Sequence, residues 1–320
     1  MYERSPDIAD AEIAAVLRDE WRLDLTGLDY LPVGFGGHHW RTADASGRRW
    51  FVTAQESAGA HQAALSAALE TATALAAAGL DFVVAPVRSA AGRVAMPLEP
   101  GLVVSVFAYH DAAPGHWGET LTAADRTAVA RMLADLHGTA LAMSVPVRGL
   151  GLASRNALDA ALRERGAPWQ GGPFAEPARA LLAEHASALV SALERFDALA
   201  AEVGGDGRPL AITHGEPHPG NLMRSGSRLL LVDWDTVGLA PPERDLWWLL
   251  STDRGKPADL RSYARRSGRE VSPAALELYR LRWSLDDISL TLAEFRAPHR
   301  RTADTEVSWA GLQAALRALA

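Results

Sequence analysis

The chain has 320 residues, 48% of them hydrophobic and 22% charged, which is enough to bury the core of one large domain or of two lobes. Its formal net charge of -7 argues against nucleic acid or an anionic membrane as the main partner and agrees with a cationic small molecule. The lack of cysteine excludes disulfides, thiolate metal sites and cysteine nucleophiles. The polar N-terminus lacks the apolar core of a signal peptide, so we expect a cytoplasmic location and no membrane partner.

The first third of the chain has the pattern of short strands with two helices. Amphipathic spacing predicts a helix over residues 11–21, and an alanine-rich stretch predicts a second over residues 62–78, ended by Gly79. Alternating apolar residues between turn-forming segments predict strands at residues 30–33, 38–42, 49–53, 93–98 and 102–109.

The rest of the chain is mainly helical in pattern. The clearest helices are predicted at residues 124–142, 175–203 and 273–295. The pattern changes near residues 107–111. It therefore predicts an α+β protein with a small β-rich lobe over residues 1–106 and a larger, mainly helical lobe over residues 107–320.

Two short segments inside the helical half carry the chemistry. Glu216 comes five residues before Asn221, and Asp233 comes twelve residues after it, each segment following an apolar strand. Phosphoryl transfer needs a group that orients the attacking hydroxyl and two oxygen ligands for the Mg²⁺ ion that bridges the nucleotide phosphates. Glu216, Asn221 and Asp233 supply these three parts in the chain order that protein kinases use.

Other interpretations of residues 214–218 are less well supported. On a continuous strand, residues 214, 216 and 218 would share a face and could bind a metal, but Pro217 and Pro219 interrupt the hydrogen bonding of a regular strand. The pair His214 and Glu216 matches the H-x-E of zinc deaminases, whose cysteine ligands this chain lacks. An ordinary turn would leave the spacing to the later residues accidental.

These segments resemble the aminoglycoside phosphotransferase family of small-molecule kinases. The family's catalytic loop reads H-G-D-x-x-P-x-N and its metal-binding strand reads I-D-W-[DE], which is similar to residues 214–221 and 232–235. Residues 241–246 match the family's P-x-x-D-L stretch, in which Asp245 would tie a helix to the catalytic loop. The resemblance implies a bilobal protein-kinase-like fold and ATP or GTP as the phosphoryl donor.

The resemblance also implies roles for the residues of the two segments. Asn221 and Asp233 would hold Mg²⁺, and Glu216 would stand in the place of the catalytic aspartate. His214 would order the catalytic loop and would not carry a proton. Asp235 would either brace the loop or contact the substrate, with bracing favoured.

In the β-rich lobe the expected nucleotide site has two parts. Gly34, Gly36 and Gly37 would form a hairpin whose backbone amides approach the phosphates closely. Phe107 and Tyr109 would belong to a hinge that hydrogen-bonds the adenine through its backbone.

One departure from the family pattern lies in the catalytic loop. Glu216 stands where the family has aspartate, and its extra methylene moves the carboxylate outward by roughly 1.5 Å. A misplacement of about 1 Å can cost on the order of a hundredfold in rate. We therefore expect either a weakened site or a backbone that has shifted to suit glutamate.

A second departure lies in the third strand. Thr53 stands where kinase-like folds place the phosphate-binding lysine, and the only lysine of the chain is Lys256. Glu70, which matches the partner of that lysine, is expected to lack its cation. Arg41 is the first candidate to replace the lysine and Arg49 the second, with a solvated strand residue as an equal alternative for Arg41.

The acceptor is not identified by any motif of the chain. Asp286 and Asp287 lie on a late helix, in a region that binds acceptor amino groups in related enzymes, although a solvated acidic face is an equal alternative. We expect Mg²⁺-dependent transfer of the γ-phosphoryl group to a hydroxyl of an aminoglycoside-like or other small metabolite, including an antibiotic in a resistance reaction. A silent nucleotide-binding pseudokinase and a kinase-fold nucleotidyl transferase remain as alternatives, and the oligomeric state stays open.

Overall fold

The computed structural model describes residues 4–5, 8–34, 36–57, 59–99, 101–249 and 257–319; Phe35 of the predicted hairpin and Lys256 lie outside this part. The chain divides into two compact units by packing. Unit 1 comprises Met1–Arg148 and Pro209–Val271, and unit 2 comprises Gly149–Arg208 and Ser272–Ala320. Unit 1 contains residues from both sides of residue 106, so this division does not test the lobe boundary predicted there, which stays a prediction.

A five-stranded antiparallel sheet forms the N-terminal part of unit 1. Its strands lie in the order β1-β2-β3-β5-β4. They are β1 (Leu25–Leu31), β2 (Gly37–Asp44), β3 (Arg49–Glu56), β4 (Met96–Leu98) and β5 (Leu102–Ala108). The strand predicted at residues 30–33 is displaced, because Pro32 lacks the N–H that would continue β1.

The two faces of this sheet have different cover. Helix α1 (Asp10–Trp21) packs on one face, against Trp40 and Val52. Helix α2 (Ala60–Ala77) packs on the other face, against Val103 of β5. Along β2 and β3, the side chains His39, Arg41, Phe51 and Thr53 point to the α2 side and are only half-buried or exposed. Their partners on β5 are Ser105 and Phe107. We call these six residues the second face of the sheet.

The remaining part of unit 1 carries short strands among helices. One three-stranded sheet has the order β6-β8-β9, and β7 pairs antiparallel with β10. The strands are β6 (Ala113–Pro114), β7 (Ala211–Thr213), β8 (Leu222–Ser225), β9 (Arg228–Leu231) and β10 (Gly238–Ala240). The helices are α3 (Ala123–Gly138), α6 (Glu243–Leu246) and α7 (Pro257–Ser267), with α3 packed on α7 and β7.

Unit 2 is helical in the part that the structure describes. Its helices α4 (Arg155–Glu164), α5 (Ala175–Gly205), α8 (Pro273–Arg296) and α9 (Ala303–Arg317) share one apolar core. A β-rich N-terminal region followed by a mainly helical region confirms the predicted α+β class. Among the helices described, none is both long and apolar enough to cross a lipid bilayer.

Candidate active site

The segment with Glu216 forms a loop that connects β7, which pairs with β10, to β8, which pairs with β9. Strand β7 leads into residues 214–218, a short 3₁₀-helix (Pro219–Asn221) follows, and β8 continues from it. Strand β9 then carries the chain to Asp233 and back to β7 through β10. The predicted strand-loop-strand arrangement is therefore present, and it brings the segments of Glu216 and Asp233 together.

His214 holds the loop from inside. Its side chain is fully buried, and its Nε2 donates to the carbonyl of Val232 at 2.9 Å. The backbone N–H of Glu216 donates to its Nδ1 at 3.2 Å. Burial lowers the pKa of His214 to about 4, so the ring is neutral near pH 7. Because both ring nitrogens bind the backbone, the geometry supports a loop-ordering role and not proton transfer.

Asp245 ties helix α6 to the same loop. The carboxylate is fully buried and accepts from the N–H of His214 at 2.8 Å and from the N–H of Gly215 at 2.6 Å. His137 Nε2 donates to it at 3.0 Å, and the Nδ1 of that ring lies 2.8 Å from the Tyr263 hydroxyl. Burial alone would raise the pKa of Asp245, but the His137 hydrogen bond and nearby positive charges lower it below its usual range.

Gly215 fills a position that no larger residue fits. Its φ is +106°, a conformation that residues with a Cβ rarely adopt. A Cβ there would lie 2.2 Å from a guanidinium nitrogen of Arg244 and 2.6 Å from the hydroxyl of Thr236. Both side chains hold the loop, because Arg244 donates to Thr213 and the Thr236 hydroxyl donates to the carbonyl of His214.

We expect Gly215→Ala to destabilise the protein more than Gly226→Ala. Both glycines have positive φ, which costs an alanine roughly 1–2 kcal/mol, but a Cβ on Gly226 would meet nothing within 4 Å. At Gly215 the overlap with Arg244 adds about 1–3 kcal/mol. Urea unfolding of both variants measures the difference, and equal losses of stability would contradict the tight packing of the loop.

Asp233 is held in an unusual backbone conformation beside two other carboxylates. Its φ is +66°, in the left-handed region. Solvent reaches its side chain, yet protein surrounds it closely enough that desolvation, and then the charges of Asp235 and Glu216, raise its pKa well above the ordinary value. The two neighbouring carboxylates therefore disfavour a negative charge on Asp233, and a bound cation would relieve that repulsion.

Asp235 differs from Asp233 in its surroundings. Desolvation raises its pKa, while the charges of Arg148 and Arg244 counteract the shift. Arg148 also donates to the carbonyl of Val237 at 2.9 Å and to that of Asp235 at 3.4 Å. Because two arginines flank this carboxylate inside unit 1, its environment favours the predicted bracing role over contact with a substrate.

Asn221 is oriented by the catalytic loop itself. Its Nδ2 donates to the backbone carbonyl of Glu216 at 2.9 Å, so the amide oxygen points away from that carbonyl. An amide oxygen and the carboxylate of Asp233 are ligands that suit Mg²⁺. The described residues contain no group of three or more His, Cys, Asp or Glu side chains that could hold a metal. One amide oxygen and one carboxylate would suit an Mg²⁺ ion whose other ligands are phosphate and water, and this site stays a prediction.

Aromatic rings lie on the outer side of the loop. Trp117, 61% exposed, packs edge-on against His218 of the loop and against Trp248, with ring centroids 4.8 and 5.4 Å apart. Trp247 is buried and packs against Trp248, which is half-buried. Burial lowers the pKa of His218 to about 4, so this ring is neutral near pH 7.

The second face of the N-terminal sheet is arranged in rows by strand register. His39, Thr53 and Ser105 lie directly across from one another, and Arg41, Phe51 and Phe107 form the next row. The first row is the one nearer to the glycine hairpin, where Gly34 and Gly36 turn the chain with positive φ and Gly37 begins β2. This face therefore runs from the hairpin to the predicted hinge.

Comparison with known proteins decides the family. The chain matches the phosphotransferase enzyme family over residues 31–281. The chain belongs to this family. No curated protein sequence matches it. The family assignment confirms the resemblance carried by the loop and strand motifs.

Solved structures show which fold this phosphotransferase family member shares. A spectinomycin phosphotransferase, solved with ADP and spectinomycin, is 15% identical with a TM-score of 0.77 over 98% of both chains. A mutant aminoglycoside phosphotransferase, solved with AMP-PNP and hygromycin B, is 13% identical with a TM-score of 0.60 over 97% of this chain and 98% of that one. A choline kinase from Streptococcus pneumoniae is 17% identical with a TM-score of 0.58 over 97% and 98%. At these identities the likeness establishes the kinase-like fold.

The surroundings of Glu70 in this family member differ from the expectation. Glu70 does have a cation, because Arg88 forms a two-pronged ion pair with it at 2.6 and 2.8 Å. The prediction that Glu70 lacks one is wrong; the arginine comes from the loop before β4, and Thr53 plays no part in the pair.

The two arginines expected to replace the lysine have partners near the hinge end. Arg41 pairs with Asp29 across β1 and β2, and Arg49 pairs with Asp111 while stacking on Tyr109. Both ion pairs are exposed, so they hold the side chains only weakly. Arg41 lies one row further from the hairpin than Thr53, and its role in phosphate binding stays a prediction.

The pairing of β5 with β3 shows which way the backbone groups of the predicted hinge residues point. The N–H of Tyr109 donates to the carbonyl of Arg49 at 3.0 Å, so the backbone groups of Phe107 and Tyr109 face β3. Those of Ala108 then face the opposite edge of β5, and this residue is exposed. On that edge Pro86 forms an antiparallel bridge opposite Phe107, and the N–H of Val87 donates to the carbonyl of Val106 at 2.7 Å, so the binding of adenine by this segment stays a prediction.

The two predicted acidic residues of α8, Asp286 and Asp287, differ in their contacts and in their exposure to solvent. Asp286 accepts from the Ser154 hydroxyl at 2.7 Å and pairs with Arg282, all within unit 2. Asp287 is exposed, so it is the member of the pair that stays a candidate for the acceptor. Both belong to unit 2, whereas Glu216 belongs to unit 1.

Sequence reasoning missed the basic residues around the site. Arg244 directly precedes Asp245 in the matched P-x-x-D-L stretch, so its position beside the loop could have been inferred. Arg148 contacts Asp235 and Val237, and His137 contacts Asp245 of α6, across about 90 to 110 positions of sequence that no local pattern connects. Such contacts are visible only once the helices have packed.

Proposed function

We propose that the chain transfers the γ-phosphoryl group of a nucleoside triphosphate to a hydroxyl of a small molecule, with Mg²⁺ as cofactor. The family assignment supports a small-molecule phosphotransferase. The observation that carries the proposal to this site is the hydrogen bond from the side chain of Asn221, the candidate metal ligand, to the backbone carbonyl of Glu216, the candidate base.

In the proposed reaction Glu216 accepts the proton of the acceptor hydroxyl, and the oxygen of that hydroxyl forms a bond to the γ-phosphorus. The bond from that phosphorus to the β–γ bridging oxygen breaks, and the nucleoside diphosphate leaves with both electrons. His214 and Asp245 keep the loop that carries Glu216 in place. Mg²⁺ held by Asn221 and Asp233 would neutralise phosphate charge.

We propose an acceptor that carries a positive charge. The net charge of -7 and the carboxylates of Glu216 and Asp233 favour a cation near the site. Structures with the same fold are named for spectinomycin, hygromycin B and choline. Exposed Trp117 beside the loop could pack on an apolar part of such a molecule.

We expect Asp233→Asn to lower turnover by about a hundredfold or more, because a metal ligand supplies several kcal/mol of transition-state stabilisation. Release of nucleoside diphosphate from ATP and GTP is measured with Mg²⁺ across aminoglycosides, aminocyclitols and choline-like amines. Asp81→Asn, which changes an exposed aspartate paired with Arg228, is the control and should behave as wild type. Equal activity of Asp233→Asn and wild type would remove Asp233 from the site.

A further inference from the structure

We propose that His39 on β2 binds the nucleotide phosphates. It lies opposite Thr53 on β3, the position at which kinase-like folds use a lysine. The proposal rests on the nucleotide-dependent function proposed above. Four observations on the N-terminal sheet lead to it, and none of them involves the catalytic loop.

The first observation is the strand register. His39 on β2 lies directly opposite Thr53 on β3. Residues directly opposite in an antiparallel pair have their Cβ atoms about 4.5–5.5 Å apart and share one face. Thr53 is the residue that stands in place of the lysine. A side chain at residue 39 therefore points toward the same volume as the missing lysine.

The second observation is the contact with the glycine hairpin. A Cβ built on Gly34 would lie 3.2 Å from Nε2 of His39, and one on Gly37 would lie 3.5 Å from its Cε1. In kinase-like folds this hairpin covers the nucleotide phosphates. The imidazole thus lies against the two glycines whose backbone is expected to approach those phosphates.

The third observation is that the ring is held in place. The imidazole stacks on Phe51, with centroids 5.1 Å apart and an angle of 23° between the planes. Glycines on one side and Phe51 on the other restrict its rotation, so little side-chain entropy would be lost on binding a ligand.

The fourth observation is an unsatisfied nitrogen. Within the described residues, the buried Nδ1 of His39 has no hydrogen-bond partner. Buried polar atoms without a partner are uncommon in native structures and call for an explanation such as a missing ligand. A phosphate oxygen would accept a hydrogen bond from this nitrogen, and the negative charge would favour a protonated ring.

Charge on the ring is expected to change when nucleotide binds. Burial lowers the pKa of His39 to about 4, so it is neutral in the free protein. Charged groups nearby are Arg41 with its partner Asp29 on the adjoining strand, and the titratable His38 on the opposite face of β2. Phosphate raises the pKa of His39, so binding takes up a proton and weakens as pH rises through the pKa of the complex.

The test compares two adjacent histidines. We expect His39→Gln to raise the dissociation constant of MgADP and MgATP by about tenfold or more, the loss of one charge-assisted hydrogen bond. His38→Gln is the matched control, because His38 points to the other face and pairs with the Tyr30 hydroxyl. The control should bind nucleotide as wild type does. Adding Thr53→Lys to His39→Gln should restore affinity by supplying a cation from the opposite strand.

Two further measurements separate binding from folding. Calorimetry in buffers of different ionisation enthalpy should show proton uptake by wild type and less uptake by His39→Gln. Nitrogen chemical shifts of His39 in the wild-type protein, with and without MgADP, should report a new hydrogen bond at Nδ1. Unchanged shifts, or equal affinity of His39→Gln and wild type, would overturn the role of His39 and leave the proposed function standing. Wild type that binds no nucleotide would overturn both.

Discussion

Replacing Glu216 by glutamine is expected to lower the rate of phosphoryl transfer by about 10²–10⁴-fold, the usual contribution of a positioned base. Glutamine has nearly the same shape but cannot take the proton of the acceptor hydroxyl. The loop should not change, because residue 216 is fixed through its backbone: its N–H donates to His214 and its carbonyl accepts from Asn221. Steady-state kinetics should therefore show a lower kcat with an unchanged dissociation constant for nucleotide.

Glu216→Asp is the companion variant. The backbone N–H and carbonyl of residue 216 are both hydrogen-bonded within the loop, so we expect the backbone not to shift to compensate for the shorter side chain. Its carboxylate should fall short of the acceptor, and a misplacement of about 1 Å costs on the order of a hundredfold in rate. Full activity of Glu216→Gln would show that another group accepts the proton, although the fold would be unaffected.

The second large effect is expected from Asp245→Asn. Its carboxylate is fully buried and accepts two backbone hydrogen bonds of the catalytic loop and one from His137. An asparagine side chain has one acceptor oxygen and would turn its NH₂ group toward at least one of these donors. A hydrogen bond to a charged group contributes about 1.5–3 kcal/mol, and we expect the free energy of unfolding to fall by at least that amount.

The pH dependence of this loss has a defined sign. The pKa of Asp245 is lower in the folded protein than in the unfolded chain, so its stabilisation is complete above the unfolded value of about 3.9. It is lost as pH falls through the folded pKa, and wild type and Asp245→Asn should then converge. Urea unfolding at several pH values measures this. Asp206→Asn, at an exposed ion pair with Arg208, is the control and should leave stability unchanged; a similarly small effect at Asp245 would contradict the network.

Local sequence signals predicted the parts of the fold that depend on neighbouring residues. The strands predicted at residues 38–42 and 49–53 are present as β2 and β3, each longer than predicted, and they pair as a hairpin. Two predicted elements extend past a residue that ends them in the structure. Strand β1 ends before Pro32, and α3 ends at Gly138 instead of continuing to residue 142. Helices α4, α7 and α9 were not predicted, since their stability comes largely from packing on other helices.

The candidate site shows the same division between local and distant information. Glu216 and Asn221 are close in sequence, and a direct hydrogen bond joins them. The positive φ of Asp233 and the arginines beside Asp235 depend on how β9, β10 and α6 pack, which no short motif specifies. The position of His39 opposite Thr53 could have been found by counting back from the turn, because a hairpin turn fixes the register of both strands.

The central claim is that Glu216, Asn221 and Asp233 form a site that moves a γ-phosphoryl group to a small-molecule hydroxyl. ATP labelled separately at its γ- and α-phosphorus tests it most directly, with wild type and Asp233→Asn incubated with an acceptor that stimulates turnover and the product analysed by mass. The account predicts that the γ-label alone appears on the acceptor, as one phosphate, and only with wild type. The α-label on the acceptor would instead show nucleotidyl transfer, and γ-label transfer by Asp233→Asn at the wild-type rate would show that the chemistry occurs elsewhere.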